Sequence, residues 1–207
     1  MSEDGIGRRH VLGGVLGGAG VVLSTSSVAL AAAKPRVVIT TDLGAITVEL
    51  EAARAPVTTA NFLRYVAAAK YDGGTFFRAA RTRGAPKSGS IVASPSSRAQ
   101  PYPAIGHEST TKTGLRHKAG TISLGRFAPG TARGDFFICA SDLPYLDAKP
   151  GAPGDNLGFA AFGQVVAGMS VVRKILAAPT SQTSQFPEQR GQWLKPPVSI
   201  LSARRII

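Results

Sequence analysis

Arg36-Val37-Val38-Ile39-Thr40-Thr41-Asp42-Leu43-Gly44-Ala45-Ile46-Thr47-Val48-Glu49-Leu50 holds two β-prone runs around a compact turn signal. The first run is dominated by β-branched residues, which suit a pleated backbone. In the second, Ile46, Val48 and Leu50 alternate with other residues and so share one face. Asp42-Leu43-Gly44 supplies turn chemistry between them, and the stretch predicts an antiparallel β-hairpin. Pro56 then stands where a first helical turn tolerates it. Val57, Ala60, Leu63 and Ala67 recur at helical spacing until Lys70-Tyr71-Asp72-Gly73-Gly74 ends the pattern. Further strands are expected at 75–80, 120–124, 135–140, 158–166 and 198–207, and a second short helix at 169–177 before Pro179. Residues 81–100 read as a loop of Arg, Ser, Gly and Pro with one short strand at Ile91-Val92-Ala93. Many short strands and two helices point to a mainly β barrel or sandwich, since closing a sheet removes its exposed edges.

Composition narrows the function classes. A chain of 207 residues with 43% hydrophobic residues and a mean hydropathy of +0.08 fits one ordinary domain. Only 17% of residues are charged, while 24 Gly and 14 Pro argue against helix-rich and coiled-coil classes. The single cysteine, Cys139, excludes an internal disulfide and a multi-thiolate zinc site, and reads as a small buried hydrophobe. His10, His107 and His117 have no helical metal-ligand spacing, so no metal or other cofactor is expected. The net charge of +12 favours acidic partners through long-range steering. Yet Arg64, Arg78, Arg98, Arg116, Arg133 and Arg173 are scattered singly, without interleaved aromatics, which speaks against a nucleic-acid partner.

The N-terminal segment reads as an address. Arg8-Arg9 precedes an uncharged stretch from Val11 to Ala33 that ends in Ala31-Ala32-Ala33, in the order of the regions of a twin-arginine signal peptide. A permanent membrane anchor is the alternative, but the glycines and Ser24-Thr25-Ser26-Ser27 make a poor span. The expected organisation is a removable leader at 1–33 and one domain at 34–207, exported to the periplasm or the cell-envelope exterior, with no stable membrane insertion after cleavage. Cleavage removes Glu3, Asp4, Arg8 and Arg9, so the charge of +12 belongs to the domain.

A series of blocks in order carries a family likeness. It begins with Gly44-Ala45-Ile46-Thr47-Val48-Glu49-Leu50, Ala55-Pro56-Val57-Thr58-Thr59-Ala60-Asn61-Phe62-Leu63 and Tyr71-Asp72-Gly73-Gly74-Thr75-Phe76-Phe77-Arg78. It continues with Thr113-Gly114-Leu115-Arg116-His117-Lys118-Ala119-Gly120-Thr121-Ile122-Ser123, Asp135-Phe136-Phe137-Ile138-Cys139 and Leu157-Gly158-Phe159-Ala160-Ala161-Phe162-Gly163-Gln164-Val165. Gly168-Met169-Ser170-Val171-Val172 follows. From Val37 to about Ile175 the chain resembles the cyclophilins. The resemblance implies a closed eight-stranded antiparallel barrel capped by two helices, and cofactor-free cis/trans isomerisation of peptide bonds before proline in polypeptide substrates. It implies Arg78 as the catalytic guanidinium, donating toward a prolyl nitrogen whose lone pair is released only when the amide twists. Phe137, Leu146 and Phe159 would form the proline slot, with Tyr145 at its rim. Gly125 and Arg126 correspond to the stretch whose backbone holds the residue before proline. Phe136 and Phe137 alternate across a strand, and Phe137 is expected to face the slot.

Departures from the family pattern concern the site more than the fold. A glutamine expected near Ala93 is absent, Asp135 replaces a second glutamine before the Phe-Phe pair, Arg126 replaces a common Asn, and Gly134 replaces a usual Ser. Asp135 either pairs with Arg78 or orients it. Three functional readings follow: an isomerase assisting the folding of exported proteins and acting as a monomer, a weak or inactive module that binds Pro-containing peptides, or a barrel for another small ligand. His117 reads as a hydrogen-bonded structural histidine, because isomerisation transfers no proton. His107-Glu108 reads as solvated.

Overall fold

Thr41 faces Gly44 across a two-residue turn, and this hairpin of β1 (Arg36–Thr41) and β2 (Gly44–Leu50) opens the fold. Thr41 Oγ1 donates to the Gly44 carbonyl at 2.7 Å and accepts from the Leu43 N–H at 3.2 Å, which pins the turn from within. The computed structural model describes residues 33–184 and 186–206, so the proposed leader lies outside the described residues except for Ala33. The other strands are β3 (Gly74–Thr82), β4 (Ala85–Ser94), β5 (Thr121–Leu124), β6 (Phe136–Cys139), β7 (Ala160–Ala167), the two-residue β8 (Thr180–Ser181) and β9 (Trp193–Ile206). Hydrogen bonding runs in the order β1-β2-β7-β5-β6-β4-β3-β9, and β9 returns to β1. All pairings among the described residues are antiparallel, so the expected closed eight-stranded barrel forms, with β8 added to it along β9.

Inward-facing residues fill the barrel with aromatic rings. On α1 (Pro56–Ala67), Phe62 lies with its ring 5.3 Å from Tyr71 and from Phe162 and 5.5 Å from Phe136, and Phe76 joins at 5.8 Å from Phe136. Burial of each such side chain stabilises the fold by about 1.5–3 kcal/mol. The second helix of the sequence reading is α3 (Met169–Ala177), which buries Val171, Val172, Ile175 and Leu176. Between them lies a short helix, α2 (Thr110–Thr113), in a stretch that reads as a polar loop.

Residues 81–100 bear out the strand at Ile91-Val92-Ala93 and correct the loop reading around it. Ten of them form β4, which pairs with β3 on one side and β6 on the other. Pro86, Ser88 and Gly89 lower the local strand propensity, but Ile91 and Ala93 are fully buried, and pairing on both sides overrides composition. β9 likewise begins five residues before the expected strand, because Trp193 and Leu194 pair with β8.

Glu108 also corrects the sequence reading, for it is buried rather than solvated. Residue Ala55 at the start of α1 has no side chain to cap the helix. The Glu108 carboxylate fills that role from across the fold, accepting the Val57 N–H at 3.2 Å, the Thr58 N–H at 2.8 Å and the Thr58 hydroxyl at 2.7 Å. A negative charge there also complements the helix dipole. Glu108→Ala should therefore lower unfolding stability by about 1–2 kcal/mol, the scale of a lost N-cap. Denaturant unfolding reads this directly, and unchanged stability would remove Glu108 as the cap.

Candidate active site

Strand register puts the candidate residues in a row. Phe137 on β6 opposes Val92 on β4, Val92 opposes Arg78 on β3, and Arg78 opposes Trp193 on β9. Directly paired residues share a face of a sheet. The adjacent row, Phe136 with Ala93 and Phe76, belongs to the barrel interior, where all three are buried. Phe137 instead belongs to a separate cluster with Cys139 and Leu143, against which Val92, Leu146 and Phe159 pack partly buried. Phe136 and Phe137 thus divide between two apolar clusters, as period-two alternation requires.

The walls of this second cluster come from loops. Leu146 closes a single 3₁₀ turn at Pro144–Leu146, and its carbonyl accepts the Phe159 N–H at 3.0 Å. Gly158 allows that approach. It has φ +62°, and a Cβ there would stand 2.5 Å from both the Leu146 carbonyl oxygen and the Ala148 nitrogen. The Phe159 ring meets Phe137 edge-on at 5.3 Å. Arg126 braces its other side with the guanidinium 5.2 Å from the ring centroid. The Arg126 side chain is only 3% exposed, donating through Nε to the Gly158 carbonyl at 3.0 Å and through Nη2 to Asp155 Oδ1 at 2.9 Å. This hydrogen bond holds the Asp155 carboxyl below its ordinary pKa. Tyr145 is 59% exposed, in keeping with a position at a rim.

Arg78 is half-buried, and desolvation pulls its pKa down while the neighbouring Glu188 and Tyr145 oppose that fall. Its Nε donates to Gln192 Oε1 at 2.8 Å. No ion pair joins Arg78 to Asp135 among the described residues, so the pairing considered from sequence does not form. Asp135 accepts a hydrogen bond from Ser94 Oγ at 2.8 Å. Desolvation pushes its carboxyl above the ordinary value, and the Ser94 bond opposes the rise. Residue Ser94, rather than the core residue Ala93, is the β4 position that meets Asp135. Gly125 lies beside Asp135, its N–H donating to the Asp135 carbonyl at 2.7 Å. Gly134 has a steric reason for replacing Ser, since a Cβ would lie 2.5 Å from the Tyr65 ring and 2.6 Å from Pro95.

Behind Phe137 stands a buried Ser-His-Asp arrangement. His117 Nδ1 lies 2.7 Å from Asp147 Oδ1, and Nε2 lies 2.9 Å from Ser123 Oγ. A carboxylate only accepts, so Nδ1 carries the proton, and in the neutral ring Nε2 accepts from Ser123. The order suits acyl transfer, but Ser123 is fully buried and the His117 ring stacks on Phe137 at 5.8 Å. No carbonyl reaches that hydroxyl, and the arrangement serves to hold Phe137. Cys139 beneath it is inert, its thiol pushed up to about 12 by burial, with Asp147 and Asp142 adding to the rise.

The register brings Arg78 and Phe137 into one row, and Leu146 and Phe159 complete the apolar cluster, while Gly125 and Asp135 lie at the neighbouring ends of β5 and β6. The sequence reading places Val92 in a short strand without a role at the site, and it does not single out Leu143. Nor does it find Gln192, which bonds to Arg78 from more than a hundred residues away, or Glu188, whose charge acts on Arg78 across a similar separation that no local pattern reports.

A family model described as cyclophilin type peptidyl-prolyl cis-trans isomerase/CLD matches residues 36–205, beyond the likeness visible in the motifs. Peptidyl-prolyl cis-trans isomerase A of Dickeya dadantii is 32% identical over 171 residues, covering 82% of this chain and 84% of that protein. A peptidyl-prolyl cis-trans isomerase of Acinetobacter baylyi is 32% identical over 165 residues, covering 79% and 81% respectively. Among solved structures, a cyclophilin type peptidyl-prolyl cis-trans isomerase of Cryptosporidium parvum superposes with a TM-score of 0.63 at 18% identity, covering 84% of this chain and 98% of that one. The same protein was solved in the presence of the dipeptide Ala-Pro, also at a TM-score of 0.63.

Proposed function

The chain belongs to the cyclophilin-type peptidyl-prolyl cis-trans isomerases and catalyses rotation about the peptide bond before proline, and from that premise we propose that Arg78 is its catalytic residue. Phe137, Leu146 and Phe159 take the proline ring, and Val92 completes that slot. Tyr145 bounds it, while Gly125, Arg126 and Asp135 line the path of the residues before proline. The observation that carries this reading is the row Arg78–Val92–Phe137 across β3, β4 and β6. It sets a permanent cation beside an apolar cluster on one face of the barrel.

The chemistry asked of such a site is modest. Amide resonance sets a rotation barrier of roughly 18–20 kcal/mol, and a twisted amide frees the nitrogen lone pair. A guanidinium N–H aimed at that nitrogen binds the twisted state better than either planar isomer. No proton is transferred, and the buried histidine has no chemical duty. The Ala-Pro dipeptide used with the Cryptosporidium parvum protein suggests the minimal substrate. Turnover of such a peptide by the full chain and by its Arg78→Ala variant tests the assignment. The reading as a weak or inactive peptide-binding module has less support, because the relatives at 32% identity are named as isomerases.

We further infer that residues 1–33 direct export and that the domain works outside the cytoplasm as a monomer on secreted polypeptides. The support is the arginine pair, the uncharged stretch and the alanine-rich end. Among the described residues no helix is long and apolar enough to cross a membrane. Replacing both Arg8 and Arg9 with Lys should leave the chain inside the cell, while the parent is recovered outside it with Lys34 as its first residue. Equal export of both forms would remove the leader from this reading.

A further inference from the structure

We propose that Gln192 is the positioning residue of Arg78, bringing to the site, from the turn that leads into β9, an amide that β4 and β6 lack. The inference rests on the isomerase reading of Arg78. Gln192 is tied down at both its backbone and its side chain. Its carbonyl accepts the Ala79 N–H at 2.8 Å, and its own N–H donates to the Gln189 carbonyl at 3.1 Å. The side-chain Nε2 donates to the Glu188 carbonyl at 3.0 Å, which fixes the orientation of the amide and turns Oε1 toward Arg78. The following residue, Trp193, opens β9, packs its ring 5.3 Å from Phe77 and pairs with Ser181, so the strand end next to Gln192 is held.

A single acceptor at Nε does what a catalytic arginine needs. Oε1 takes the one N–H that points back along the side chain and leaves the Nη1 and Nη2 donors without protein partners among the described residues. Because the acceptor is neutral, it orients the guanidinium without cancelling its charge. Glu188, on the same loop, keeps a carboxylate near Arg78 but makes no ion pair with it among the described residues. A carboxylate seated on the terminal nitrogens would compete with the prolyl nitrogen, whereas an amide at Nε does not. Ser94 and Asp135 meanwhile bond to each other, so the positions that resemble the family's glutamines are not the ones that reach Arg78.

The test is a double-mutant cycle in the full chain with a short Ala-Pro-containing peptide, scored as kcat and KM. Gln192→Ala should lower kcat about tenfold with KM changed less than about twofold, since a misplaced donor costs the twisted state more than the bound peptide. Gln192→Glu keeps an acceptor for Arg78 Nε but loses the donor to the Glu188 carbonyl and sets a negative charge on the guanidinium, so it should restore kcat only in part. In an Arg78→Ala background, Gln192→Ala should have no further effect. The Arg78 Nε–H resonance should be protected from exchange in the parent and in Gln192→Glu and lose that protection in Gln192→Ala. Full kcat in Gln192→Ala beside a large loss in Arg78→Ala overturns the positioning role alone. So does an equal loss from Gln192→Ala in both backgrounds, which marks a general effect on folding. Full activity in Arg78→Ala, or none in the parent, overturns the isomerase assignment together with it.

Discussion

Arg78→Ala is expected to lower kcat/KM for a short Xaa-Pro peptide by about 10²–10³, the scale seen when one preorganised donor is removed from a developing charge. The loss should fall on kcat, because the apolar cluster of Phe137, Leu146 and Phe159 remains to hold the proline ring. Arg78→Lys should not restore the rate. A lysine cannot offer one nitrogen to Gln192 and two others to the substrate in a fixed plane. Desolvation lowers the Arg78 pKa, yet a guanidinium stays protonated far above neutrality, so the parent's kcat should be flat from about pH 6 to 9. The side chain is only half-buried and belongs to neither apolar cluster, so the variant should fold like the parent. Turnover by Arg78→Ala equal to that of the parent would transfer catalysis to another group.

What was legible in the sequence follows from the range over which each feature is determined. The opening hairpin, α1 and α3 are specified by residues within a few positions of one another, and each forms where the pattern puts it. Only the Ile91-Val92-Ala93 part of β4 was legible, because Pro86, Ser88 and Gly89 dilute the rest of a strand that its two neighbours enforce. Phe137 was assigned to the other face from Phe136 by alternation alone, a local property. The partners of Arg78 were different in kind. Gln192 and Glu188 stand in a polar loop that carries no motif; Gln192 meets Arg78, and Glu188 comes near it, only after the barrel closes through β9. Asp135 illustrates the converse. Its sequence position next to the Phe-Phe pair suggested an ion pair with Arg78, but on the barrel it meets Ser94 instead. Glu108 shows the same limit for stability: beside His107 in a polar stretch it reads as solvated, and only the distant, uncapped start of α1 explains its burial.

His117→Ala should produce the largest loss of stability, roughly 3 kcal/mol or more, because it orphans two buried partners at once and empties a ring-sized space. Asp147 would keep only the backbone N–H of residue 117, at 3.0 Å, and Arg116 at 3.5 Å, and Ser123 would lose the acceptor of its hydroxyl. The effect should also depend on pH. Desolvation lowers the His117 pKa, while the hydrogen bond to and charge of Asp147 oppose the fall, so the folded chain keeps this ring neutral below the pH at which an unfolded one is protonated. As pH drops through about 6.5 the unfolded state binds the extra proton, and stability falls by up to about 1.4 kcal/mol per pH unit until the folded ring titrates. Asp135, whose pKa is raised, acts with the opposite sign, so a loss of stability as the pH falls below 6.5 points to His117 and not to Asp135. Denaturant unfolding at pH 7.5 and 5.5 should show the parent losing stability while His117→Ala does not, so that the gap between them narrows. A gap that stays constant would mean that His117 is not the titrating group. Because the same ring stacks on Phe137, the variant should also lose several-fold in kcat/KM, about what a loosened wall costs a positioned substrate. A network with no chemical step of its own would thereby reach the reaction through the shape of the slot.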